Sequence, residues 1–509
     1  MQNSFKTLLV LLAVVLPFLF FGLGERPVYK IQEVRIAETA REMLASGDWI
    51  IPRYNGELRL QKPPLPYWVT AASFRVAGVD AASTRLPAVL AGLCLAVLFW
   101  LWVRRELGDE AACNSIAALV VSFLGLRYFR SGEADALLLL CISAACKLGF
   151  DILQGRGSGF RRLLFGAMLG FGFLSKGPAG LSIPLLVILA MAIVEKRNGL
   201  VQPRWRHFFS LPGVLAAFFV AFGWYAWIFW RLPDAAQLFF GRQIDETFIS
   251  GNHPKVLWWY LSNWLEFFAP WSPLIVPAGV MAYRRRREGL PPLIRFAWIW
   301  LAVVFVLLTL TINKQTQYAL LFAPPTAILV GHYLAEARGG FQRLNRVLFA
   351  LFGLAFVAGV VFILHRSPAA PSSLWLILPV APLALGLLLR VRWRSFPVVL
   401  VAGLTSMAFL FSEAHLSKEP HKVAAQSLMR EAAQYSPLFQ SGPRPGRGEL
   451  SFYAGRVVPP VEAQELPVLL ERYPEIWLVG EEMAMPDGVA ATLLRQVDEL
   501  HLFRLRRRP

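Results

Sequence analysis

The chain has 509 residues, of which 56% are hydrophobic and 17% charged, with a formal net charge of +18 and a mean hydropathy of +0.50. A soluble domain is about 45–50% apolar and about 25% charged, so this composition excludes a disordered chain and an ordinary cytosolic one. An excess of 51 Lys and Arg over 33 Asp and Glu would suit a nucleic-acid binder only if it did not follow the alternation that a membrane imposes on loops.

A membrane-crossing helix needs about 20 mostly apolar residues. Thirteen runs are candidates, near 7–24, 86–103, 111–126, 136–150, 162–174, 179–194, 208–230, 265–283, 291–312, 318–335, 347–364, 373–390 and 395–411. The first follows Lys6 and meets Glu25-Arg26 without a small-x-small cleavage signal, which predicts an uncleaved anchor. One set of short loops holds 20 Lys and Arg, and the opposite set holds five (Arg127, Arg130, Lys176, Lys314 and Arg366). Basic loops stay in the cytoplasm. The asymmetry therefore predicts a cytoplasmic N-terminus, an extracytoplasmic C-terminus and two long outer loops, 25–85 and 231–264. It also accounts for most of the +18 and removes the case for nucleic acid.

The first long loop opens on Gln32-Glu33-Val-Arg35, and Ile36, Ala40, Met43 and Leu44 then recur at helical spacing. This predicts an amphipathic interfacial helix with Glu33 in its first turn, where a carboxylate is stabilised as an anion. Lys62 precedes Pro63-Pro64, which stiffen the backbone behind its ammonium. A lysine there also suits snorkelling at the membrane edge. A short outer loop carries Glu133 and Asp135 just before an apolar helix, where two acids are costly unless used. Lys176, Lys314 and Tyr318 fall in tight outer turns, and His253 and Lys255 lie in the second long loop before Trp258-Trp259. Singly these are interfacial anchors; together they form the cation-rich face that a lipid phosphate needs.

Residues 412–509 carry 12 basic and 13 acidic residues and no long apolar run. Helical pattern near 419–434, 461–472 and 488–496, and strand pattern near 449–453, 475–480 and 499–505, predict a small extracytoplasmic α/β domain. The expected organisation is a membrane domain, 1–411, followed by this domain, 412–509. The four cysteines sit in apolar runs without ligand-like spacing or a disulfide framework. The middles of the spans are almost free of charge, whereas a transporter keeps ionisable groups at the midplane. An enzyme working at the membrane face is therefore favoured over a flippase or transporter of lipid-linked sugar.

The order of motifs resembles the lipid-carrier-dependent glycosyltransferases of the GT-C superfamily, in particular the bacterial aminoarabinose transferases and protein O-mannosyltransferases. The matching stretches are Gln32 to Trp49, Asn55-Gly56 with Lys62-Pro-Pro-Leu65, Thr84-Arg-Leu-Pro87, Glu133-Ala-Asp135, Ser175-Lys-Gly-Pro178 and Lys314 to Tyr318. The resemblance implies a polytopic α-helical fold of about 13 spans. It implies inverting transfer of a sugar from a polyprenyl-phosphate carrier to a hydroxyl of lipid A, a glycan or a protein, at the outer face of the inner membrane. Glu33 is the first candidate base, with Asp135 and Glu133 as a second acidic site. Gln32, Arg35, Lys62, Lys176, His253, Lys314 and Tyr318 are the expected substrate-binding residues.

The chain departs from the family at three points. The family's first acid is Gln32 here, and an amide cannot take a proton as a base does. The acid before Lys-Pro-Pro is Gln61, and the histidine of the second long loop falls at Gln243. These changes argue against the family's metal site and leave a weakened, non-catalytic relative as a further alternative. If a cation binds, Glu133 and Asp135 are its candidate ligands, and two carboxylates suit Mg²⁺ or Mn²⁺ rather than zinc.

Overall fold

The computed structural model describes residues 15–16, 19–28, 30–197, 210–232, 235–236, 239, 255–348, 351, 420–441, 448–480, 485–497 and 500–508. The predicted runs 373–390 and 395–411, and most of 7–24 and 347–364, lie outside them. The chain divides into two compact units. One comprises residues 1–21, 61–63 and 88–412; the other comprises 22–60, 64–87 and 413–509.

Among the described residues, six helices are long and apolar enough to cross a membrane: Ala81–Leu107, Asp135–Leu153, Ala179–Arg197, Leu211–Arg231, Pro292–Leu310 and Thr316–Glu336. Two expected spans are broken. The run 111–126 becomes helices Asp109–Val120 and Phe123–Tyr128, because the Ser122 hydroxyl accepts from the Gly125 amide and starts a new helix. The run 265–283 becomes short pieces ending in Ile275–Arg284, and Pro270 and Pro273 withhold the amides a continuous helix would use.

Small residues let helices of the first unit approach closely. A Cβ on Gly166 would stand 1.8 Å from the Gly213 carbonyl oxygen, so Gly159–Lys176 and Leu211–Arg231 meet backbone to backbone there. A Cβ on Gly331 would stand 2.1 Å from Ser115 Oγ, joining Ala323–Glu336 to Asp109–Val120 in the same way. Trp102, Phe150 and Phe296 then fill the space where three spans meet, with ring centroids 5.2–6.0 Å apart.

The second unit is built from both ends of the chain. Helices Ile31–Ser46 and Leu65–Ala77 flank a hairpin, β1 (Arg53–Tyr54) and β2 (Glu57–Leu58), turned by Asn55-Gly56 with φ of 55° and 81°. Asn-Gly tolerates the positive φ that such a tight turn requires. The remaining strands, β3 (Leu438–Ser441), β4 (Glu475–Gly480), β5 (Val489–Val497) and β6 (Leu500–Arg507), form one sheet in the order β3-β4-β6-β5. β3 and β4 are parallel, and the other pairs are antiparallel. Alternation along β4 sends Val479 to a core with Leu428 and Leu450, and Ile476 and Leu478 to a second core with Leu466 and Leu470.

Two elements of this domain differ from expectation. Residues 449–453 were expected as a strand and form the helix Glu449–Ala454, ended by Gly455 at φ 67°. Alternation over five residues fits barely one helical turn as well as a strand, and glycine in the left-handed region is a helix stop. Residues 488–496 were expected as a helix and form β5, whose backbone groups pair with β6. That pairing overrides a weak local preference.

Candidate active site

In the first unit, Asp135 opens the Asp135–Leu153 helix and is buried. Lys176 closes the Gly159–Lys176 helix, which stops because Gly177 takes φ 82°. Lys176 Nζ donates to Asp135 Oδ1 at 2.6 Å and lies 5.3 Å from the Tyr318 ring centroid. A carboxylate, an ammonium and an aromatic face thus meet from three separate segments. Glu133, two residues earlier, accepts from the Ser131 hydroxyl at 2.9 Å.

Lys314 is buried, and its ammonium donates to the Thr311 carbonyl at the end of the Pro292–Leu310 helix. It closes that helix, as a cation at a C-terminus does. Lys62 is half-buried, and His253 lies outside the described residues.

In the second unit, Glu33 is fully buried and both its oxygens accept from Arg85, from Nε at 2.8 Å and from Nη2 at 3.1 Å. Arg26 approaches the same carboxylate at 3.8 Å. Arg85 also donates to the carbonyls of Leu23 (2.6 Å), Arg26 (2.8 Å) and Pro27 (3.1 Å). Its fork therefore clamps the backbone that leads into the Ile31–Ser46 helix. Gln32 is exposed and Arg35 half-buried on that helix. The helix is less one-sided than its apolar spacing implies, since Glu38, Arg41 and Glu42 are buried beside Val34, Ala37 and Ala40.

The sequence alone gives Arg85 no role, although Thr84-Arg-Leu-Pro87 is among the stretches that carry the resemblance. Among the described residues, Glu133 and Asp135 do not form a site that fits a divalent cation. Asp135 already carries an ammonium, and among the described residues no three His, Cys, Asp or Glu are grouped to hold a metal.

Residues 61–227 match the family described as dolichyl-phosphate-mannose-protein mannosyltransferase. The undecaprenyl phosphate-alpha-4-amino-4-deoxy-L-arabinose arabinosyl transferase of Edwardsiella ictaluri is 30% identical over 350 residues, covering 67% of this chain and 62% of that protein. The protein of the same name from Aeromonas hydrophila is 30% identical over 376 residues, covering 70% and 66%. The matched region thus spans slightly under two thirds of these relatives' length. The crystal structure of ArnT from Cupriavidus metallidurans bound to undecaprenyl phosphate superposes with a TM-score of 0.80 at 21% identity, covering 98% of this chain and 97% of that one. That likeness establishes the fold, including the small C-terminal sheet domain, and the apolar helices make the chain a multi-pass membrane protein. With the motifs, the family match and the fold in agreement, the chain belongs to the GT-C superfamily of lipid-carrier-dependent glycosyltransferases, in the group of the bacterial aminoarabinose transferases.

Proposed function

We propose that this protein is a glycosyltransferase that moves a sugar from a polyprenyl-phosphate carrier to a hydroxyl acceptor, inverting the configuration at the anomeric carbon. The carrier named for its relatives is undecaprenyl phosphate, and the sugar is 4-amino-4-deoxy-L-arabinose. The observation that carries the reading is the Asp135–Lys176–Tyr318 cluster. The acceptor oxygen forms a bond to the anomeric carbon while the bond from that carbon to the phosphate oxygen breaks. A carboxylate takes the hydroxyl proton, and cations hold the charge that develops on the lipid phosphate.

Asp135 suits the carboxylate role, with Glu133 beside it in sequence. Lys176 has three donors, and its bond to Asp135 uses one of them. Lys62, and Tyr318 through its hydroxyl, complete the phosphate site in this reading. Glu33, the other candidate base, has both oxygens on Arg85 and no exposure. Its geometry suits holding the loop that presents Gln32 and Arg35 more than abstracting a proton. The two-domain division at 412 and the outer position of the site belong to the same reading. So do a cytoplasmic N-terminus, an outer C-terminal domain and residence in a bacterial inner membrane. The asymmetry of basic loops supports that orientation.

The test uses purified protein in lipid nanodiscs with undecaprenyl-phosphate aminoarabinose and, in separate reactions, lipid A, a glycan and a peptide. Mass spectrometry identifies the product, and NMR reads the anomeric configuration. Transfer with inversion supports the reading. No transfer to any acceptor overturns it; passage of the donor across vesicles then favours a flippase, and inactivity in both assays favours a non-catalytic relative bearing Gln32.

A further inference from the structure

The segment Glu449–Gly455, from the C-terminal part of the chain, touches the first long loop at three separate places within the second unit. The Val28 amide donates to the Tyr453 hydroxyl at 2.8 Å, and that hydroxyl lies 3.4 Å from the Val28 carbonyl as donor. Arg41 Nη1, from the Ile31–Ser46 helix, donates to the Gly455 carbonyl at 2.9 Å. The Phe452 ring packs 6.3 Å from that of Phe74 on the Leu65–Ala77 helix.

These contacts continue a chain that begins at Glu33. Arg85 grips Glu33 and the carbonyls of Leu23, Arg26 and Pro27, and Tyr453 then grips Val28, the next residue along. Val28 and Phe74 are both buried, so neither contact is a surface accident. Burial pushes the Tyr453 hydroxyl up to about 12, so it keeps its proton and can both accept and donate at neutral pH. Gly448 precedes this helix at φ 69°, and the Tyr54 ring fills the space a Cβ would take, 2.6 Å away. The close approach of the two stretches therefore requires glycine there.

We propose that Tyr453 is a positioning residue. Through Val28 it fixes the backbone that presents Gln32, Glu33 and Arg35, so that the C-terminal domain sets the geometry of the first-loop motif. The inference rests on the transferase reading above. It gives the C-terminal domain a part in turnover. A positioning contact acts on the transition state more than on ground-state affinity. Tyr453→Phe keeps the ring and removes only the hydroxyl.

The experiment compares the full-length protein with Tyr453→Phe in nanodiscs by two readouts. Hydrogen exchange of residues 23–35 reports the clamp without reference to activity. Steady-state transfer reports kcat and the donor KM separately. The expected result is faster exchange across 23–35, a kcat lowered about 5- to 20-fold, and a donor KM within about twofold of the parent, the pattern of a contact tightened in the transition state. Tyr435→Phe, which alters a hydroxyl elsewhere in the same domain, should leave both readouts at the parent level.

Unchanged exchange in Tyr453→Phe overturns the inference, and so does faster exchange with an unchanged kcat. A raised KM with unchanged kcat assigns Tyr453 to binding and overturns it as well. If the parent protein transfers no sugar, the transferase reading fails on its own, and the exchange arm alone decides whether the clamp exists.

Discussion

Lys176 and Asp135 join the last residue of one helix to the first residue of another through a single 2.6 Å ion pair. Forty-one positions separate them in the chain. The pair places a cation where a helix dipole and a carboxylate both favour it, with the Tyr318 ring as its third neighbour.

Replacing Asp135 with Asn should lower transfer about 100-fold or more, the scale expected when a charged group acting on the transition state is lost. Initial rates with a labelled lipid-phosphate donor measure it, with elution as a single symmetric peak as the folding control. A folded Asp135→Asn protein at parental rate would remove Asp135 from the mechanism.

Lys62→Ala should weaken binding of the lipid phosphate while leaving the fold intact, because the residue is only half-buried. Fluorescence titration with undecaprenyl phosphate is the measurement. Parental affinity would assign Lys62 to anchoring at the membrane edge.

Arg85→Ala leaves Glu33 as a buried carboxylate without its bidentate partner. Breaking a buried pair from one side costs about 3–5 kcal/mol, so chemical denaturation in mild detergent should show a large loss. The double change Glu33→Gln with Arg85→Met should be less damaging than Arg85→Ala alone. A small effect of Arg85→Ala would mean that the pair contributes little to the fold.

Glu38 is buried and bonded by Arg41 on both oxygens, at 2.8 and 2.7 Å. Burial nevertheless pushes its carboxyl up to about 8, against the pull of Arg41. A carboxyl raised in the folded state binds its proton more tightly there than in the unfolded chain. Its contribution to stability is full below about pH 4.5 and is lost as pH rises towards 8. Thermal unfolding followed between pH 5 and 8 should therefore slope downward, and Glu38→Gln should flatten that slope. An identical slope in the variant would contradict this assignment.

Gly166→Ala places a Cβ against the Gly213 carbonyl, whereas Gly159 has nothing within 4 Å of the equivalent position. Overpacking at such a contact costs about 1–3 kcal/mol. Gly166→Ala should lower the unfolding temperature, and Gly159→Ala should leave it near the parent value. Because the Gly159–Lys176 helix ends in Lys176, loss of transfer should accompany the first change and not the second.

Much of the fold is legible in the sequence. Apolar length marked the helices that, among the described residues, are long and apolar enough to cross a membrane, and the first-loop motif with Lys-Pro-Pro pointed to the family. Ser122 and Pro270 were equally visible as residues, but an apolar run hides a short break in its backbone bonds. Arg85 was visible only as part of Thr84-Arg-Leu-Pro87, because spacing does not say which of many arginines meets Glu33 across 52 positions. The strand at Val489–Val497 escaped for the same reason, since a strand is defined by the partner it pairs with.

Composition and periodicity by themselves determined that this is a multi-pass helical membrane protein with a small α/β domain after its spans. Those properties follow from side-chain transfer energies and from repeats within a single segment, which the chain carries locally. Only the tertiary structure decided that Lys176 serves Asp135, that Glu33 is held by Arg85, and that Tyr453 grips Val28. Such pairings depend on distances between segments far apart in the chain, and helix and strand packing sets those distances.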